Sequence, residues 1–160
     1  MNKDMPLSRR CALLLSTLLL GHLALAQGPP TQGIAVIMAD GSTEPFLSIA
    51  KLALIFKRKQ TFWANGQRIQ PVNLPPAHPL RRAFSQQVFA RSPEDLDDYW
   101  RDMYFHGVLP PFVLASEEAV IRFVATTPGA VGYVSPCVLD HRVTVVLRLY
   151  EGPACAHQPQ

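Results

Sequence analysis

Two apolar periods alternate along this chain, and that alternation restricts its fold more than any other feature. Ile34 to Met38 is a continuous apolar run with β-branched members, the pattern of a buried strand. Asp40-Gly41-Ser42-Thr43 follows as a turn. Leu47 to Phe56 is apolar almost all round, as in a helix buried on most sides, and Lys57, Arg58 and Lys59 complement its C-terminus. Trp63 to Arg68 reads as a turn tightened at Asn65-Gly66, and Ile69 to Leu74 as a short strand stopped by Pro75-Pro76. Pro79 suits the first position of a helix with Leu80, Ala83, Phe84 and Val88 on one face.

Ser92-Pro93-Glu94-Asp95 combines a cap, a proline and two acids, a strong helix start. Leu96, Tyr99, Trp100, Met103 and Tyr104 follow at helical spacing, the clearest amphipathic pattern in the chain. On that pattern Trp100 belongs to the core, and Trp100→Ala is expected to cost roughly 3–5 kcal/mol. Ser116 caps another helix whose core face is Val120, Ile121 and Val124, ended by Pro128-Gly129. Ala130 to Ser135 and Arg142 to Tyr150 read as strands. Strands alternating with helices predict an α/β domain, a small sheet covered by helices.

The N-terminus has the three parts of a secretory signal: Lys3, Arg9 and Arg10, an apolar run to Leu20, and the A-x-A site Ala24-Leu25-Ala26. A signal peptide over 1–26 and a single domain over 27–160 are therefore expected, with Gln27 as the first mature residue; the alternative is a retained membrane anchor. Ser8-Arg9-Arg10 leaves Sec and twin-arginine export both open. Cleavage leaves 12 basic and 11 acidic residues, a near-neutral chain with no electrostatic footprint for nucleic acid. It also leaves two cysteines, Cys137 and Cys155, which an oxidising compartment favours as a disulfide worth roughly 3 kcal/mol.

Several stretches resemble the phosphate-type periplasmic solute-binding proteins of ABC transporters. Ile55-Phe56, Lys59-Gln60-Thr61-Phe62-Trp63 and Asn65-Gly66 are similar to that family's IF-x-G-K-x-T-x-W-x-D/N-G segment, with Arg58 in place of the glycine. Ile69 to Leu74 resembles the strand that follows. Phe123 to Val134 is similar to its V-x-x-T-P-G-A-I-G-Y-V run. The matched pieces span about 34–135. The resemblance implies a single lobe of a type II periplasmic binding protein-like fold with a small mixed sheet. It further implies a periplasmic, non-enzymatic protein that binds phosphate or a similar oxyanion in connection with ABC-type uptake. The rival reading is a non-catalytic envelope interaction module, docking an envelope protein or a second copy. The family's S-G-T/S phosphate grip should fall near Pro75 to Arg82, where this chain has no hydroxyl.

Four residues are candidate ligand contacts. Arg81 and Arg82 stand in the first turn of a helix after a strand, where backbone N–H groups and guanidinium can grip an oxyanion; the alternative is two solvated arginines. Residues adjacent on a helix point about 100° apart, so both are not expected to face one ligand. Ser42 and Thr43 could offer hydroxyls to an anion, or simply cap a turn. His78, His106, His141 and His157 show no metal spacing, and no catalytic motif or cofactor signature is present, so no catalytic residue, metal or cofactor is assigned.

Overall fold

The computed structural model describes residues 33–42 and 47–150. The expected signal peptide, Thr43 and Cys155 lie outside them. Five strands form one sheet: β1 (Ile34–Ala39), β2 (Gln70–Asn73), β3 (Phe112–Val113), β4 (Ala130–Val134) and β5 (Val143–Tyr150), in the order β3-β2-β4-β1-β5. β2 is parallel to β3 and β4, whereas β1 is antiparallel to β4 and β5. The sheet is mixed, as expected. Among the described residues four α-helices accompany it: α1 (Ile49–Phe56), α2 (Pro79–Phe89), α3 (Asp97–Phe105) and α4 (Glu117–Thr126).

Local chemistry sets most boundaries. Ser48 caps α1 through the Lys51 N–H, and Ser116 caps α4 through the Ala119 N–H. Pro79 opens α2 as expected, with a cap the sequence does not signal: the Nδ1 of His78 accepts the Leu80 N–H at 3.2 Å. Ser92 and Asp95 exchange reciprocal backbone–side-chain bonds and start a 3-10 turn, Glu94–Leu96, before α3.

The core is continuous from β1 and β4 through α1, α2 and α4. Phe84 stacks on Tyr133 with ring centroids 3.9 Å apart, and Phe56 tilts against Phe84 at 4.7 Å. Val120, Ile121 and Val124 are buried, as their period predicts. The amphipathic pattern of α3 does not translate into core. Leu96 is buried, but no residue of α3 is; Trp100 is half-buried and Tyr104 is exposed. The helix rests on the surface, tied by the Tyr99 hydroxyl to the Lys57 carbonyl at 2.7 Å.

Trp63 is the tryptophan that enters the core. The 62–68 hairpin, tightened at Asn65-Gly66, carries its ring inward, and its indole N–H donates to the Gly129 carbonyl at 3.0 Å. Gly129 has φ +75°, and a Cβ there would fall on the Arg68 carbonyl oxygen. The two stretches that carry the family resemblance therefore meet, and at this meeting they act as scaffold.

Candidate functional site

A polar cluster sits where β2 hands over to α2. Asn73, the last residue of β2, and Arg81, in the first turn of α2, are both buried, at 4% and 8% exposure. Parallel pairing of β2 with β4 brings Asn73 beside Tyr133 of β4. The Asn73 Oδ1 accepts from Arg81 Nη1 through a short hydrogen bond, and from the Tyr133 hydroxyl at 3.3 Å. The Tyr133 oxygen accepts in turn from the Leu74 N–H at 3.3 Å. Burial raises the Tyr133 pKa, outweighing the opposing pull of Arg81, so the phenol stays protonated and able to donate.

The Arg81 guanidinium is thus buried among neutral groups and makes no ion pair within the described residues. A buried charge without a counter-charge is costly, and an anion supplied from outside would remove that cost. Arg82 points the other way, as the angle between neighbours predicts. It is half exposed and holds Glu94 with both Nη atoms, at 2.6 and 3.2 Å.

Ser42 does not join Arg81. β1 runs antiparallel to β4, so Ser42, beyond the C-terminal end of β1, lies at the Ala130 end of the sheet, while Asn73 and Arg81 lie at the Tyr133 end. The Ser42 hydroxyl faces the Met38 sulfur at 3.8 Å. Sequence reasoning missed Asn73 and Tyr133. The signal available was a lone phenol, Tyr133, in an otherwise apolar strand, and an amide, Asn73, between Val72 and Leu74. Among the described residues no group of three or more His, Cys, Asp or Glu is placed to hold a metal ion, and no helix is long and apolar enough to cross a membrane.

No protein-family model and no curated protein matches the chain. Solved structures do. A phosphate ABC transporter substrate-binding protein with bound phosphate from Clostridium perfringens superposes with a TM-score of 0.60 at 19% identity, covering 74% of this chain and 46% of that one. An ABC-type phosphate transport receptor from Vibrio cholerae gives 0.58 at 19% identity, covering 73% and 47%. The fold is that of the phosphate-type substrate-binding proteins. The chain spans about half the length of these structures. Both of these substrate-binding-protein neighbours are transport binding proteins rather than enzymes.

Proposed function

We propose that this protein is a periplasmic, non-enzymatic solute-binding-protein-like domain that takes phosphate or a similar oxyanion at the start of α2, in connection with ABC-type uptake. One observation carries the reading: Arg81 is buried with only neutral partners at a strand-to-helix junction. The fold supports the ligand class, since the Clostridium perfringens neighbour holds phosphate. Arg81 is the primary grip in this reading and Arg82 a rim contact competing with Glu94. Ser42 and Thr43 would serve a separate turn. Calorimetric titration of the purified secreted protein with inorganic phosphate tests it. Saturable heat that disappears in Arg81→Met and persists in Arg101→Ala, on the exposed face of α3, is the expected result. Heat unchanged by Arg81→Met refutes the site.

Residues 1–26 are proposed to be removed at Ala26, leaving 27–160 as one domain. A Cys137–Cys155 disulfide would tie the tail down. β4 and β5 flank β1 and end beside Ala35 and Ile34, and the two cysteines follow those strand ends by three and five residues. The ends are two interstrand spacings apart, roughly 10 Å, a gap those residues can close to the about 5.5–6 Å of bridged Cα atoms. Alkylation without reductant should label neither cysteine; two labels per chain contradict the bridge. The second reading, an interaction module for an envelope protein or a second copy, draws on the exposed Tyr104 and Phe105 at the end of α3. Silence in the phosphate titration together with dimerisation would favour it.

A further inference from the structure

At the other end of β2 from Arg81 lies a cavity of about 860 Å³, walled by the 62–68 hairpin, the residues just past α1, and the 107–112 segment leading into β3. That volume is in the range of small-molecule sites, roughly 300–1,000 Å³. Its lining is divided by chemistry. Arg58, Arg68, Thr61 and Gln70 give it charge and hydrogen-bonding capacity; Leu109 and Phe112, both well exposed, give it apolar surface.

Arg58 is an improbable residue for its position. Its φ is +58°, the left-handed conformation that ends many helices and that favours glycine. Nothing in the backbone calls for a long charged side chain there. The side chain nevertheless turns into the protein. One Nη donates to the Ile69 carbonyl at 3.4 Å, while the Nε is fully buried with no hydrogen-bond partner. Burial, reinforced by the nearby charge of Arg68, presses the Arg58 pKa below the usual arginine range. Neither arginine makes an ion pair among the described residues. Two arginines that line one cavity without a counter-charge among the described residues form an electrostatically incomplete wall that an anion would complete.

We propose that this cavity binds a small organic anion, with its oxyanion head on Arg58 and Arg68 and its apolar body against Leu109 and Phe112. The ligand class is a carboxylate or phosphate monoester carrying an aryl or alkyl group. The site is separate from the Arg81 cluster, so either can fail without the other.

Phenyl phosphate is the probe, titrated calorimetrically into the purified protein, with inorganic phosphate for comparison. Saturable binding is expected, at least tenfold weaker in Arg68→Gln, at least tenfold weaker in Leu109→Ser, and within twofold of wild type in Arg101→Ala, on the exposed face of α3. Arg68 is on the exposed hairpin, so its variant folds even if Arg58 changes do not. Arg58→Gly, which suits the left-handed backbone, should lose the probe while keeping or raising the melting temperature without ligand. Inorganic phosphate, lacking the apolar body, should bind this cavity at least tenfold more weakly than the probe. The proposal is overturned if phenyl phosphate gives no saturable heat, if Arg68→Gln and Arg58→Gly bind it as wild type does, or if only Arg81→Met abolishes it. Binding unaffected by Leu109→Ser overturns the apolar half.

Discussion

Tyr133 holds together the end of β2 with a single oxygen. It donates to Asn73 and accepts the Leu74 N–H, and the residue itself is fully buried. Tyr133→Phe keeps the ring stack on Phe84 but strips Leu74 of its acceptor and Asn73 of one donor. Leaving buried polar groups unpaired costs about 1–3 kcal/mol, and urea unfolding should register a loss of that size. An unchanged midpoint would mean the hydroxyl is not needed to hold Asn73. The two tryptophans make a second test. Trp63 is 3% exposed and bonded to Gly129, so Trp63→Ala should cost about 3–5 kcal/mol. Trp100, on a surface helix and half-buried, should cost only about 1–2 kcal/mol when truncated. Parallel melts of the two variants rank them, and a larger loss for Trp100 would reverse this assignment. The sequence pointed to Trp100 because helical spacing marks a face, but not whether another element covers that face. Trp63 stands in a turn with no period, and its burial comes from a docking contact 66 residues away.

At the scale of elements, the patterns that are local were legible: the strand at Ile34, the Ser116 cap, the Pro79 start and the core face of α4. The sheet order was not, because β4 lies between β1 and β2 and keeps those sequence neighbours apart, and nothing in the strands' composition names their partners. The candidate site shares that asymmetry. Arg81 was visible beside its proline, while Asn73 and Tyr133 become site residues only through the β2–β4 pairing. The junction between α4 and β5 has its own electrostatics. Arg142, just before β5, bonds Asp140 at 2.6 Å and Glu118 of α4 at 2.8 Å. Hydrogen bonds from Arg142 hold the Asp140 carboxyl down at about 2, and also hold Glu118 below its ordinary value. Both folded-state values lie below those of the unfolded chain, so the unfolded state takes up protons first. The contribution is complete above roughly pH 4, the unfolded carboxylate range, and is lost as pH falls toward 2. Melting midpoints at pH 6, 4 and 2.5 should therefore drop mainly across the last interval. Arg142→Gln should flatten that drop, and so should high salt, since the cluster is partly exposed. A slope identical in wild type and Arg142→Gln would remove this cluster as its source.

The described domain would limit how tightly phosphate is held at the proposed Arg81 site. Tight oxyanion sites surround the ligand with convergent donors and exclude water. The neighbours that share this fold are longer, and this chain aligns with less than half of each. If this domain binds alone, as proposed, it offers one wall, and an anion docked on it would keep much of its hydration. The wall itself has few donors to spare. Pro79 has no N–H, the Leu80 N–H is already taken by His78, and one Arg81 Nη is committed to Asn73. What remains is the rest of the Arg81 guanidinium and the positive end of α2, an interaction of about −4 kcal/mol at most, which corresponds to a Kd near or above roughly 1 mM. Titration of the monomer with phosphate at low ionic strength should give that weak saturation, weakening further as salt is added. Micromolar binding by the monomer would show that one wall suffices. Micromolar binding that appears only as the protein dimerises would mean that a second copy closes over Arg81, supplying the donors that Pro79 and His78 withhold.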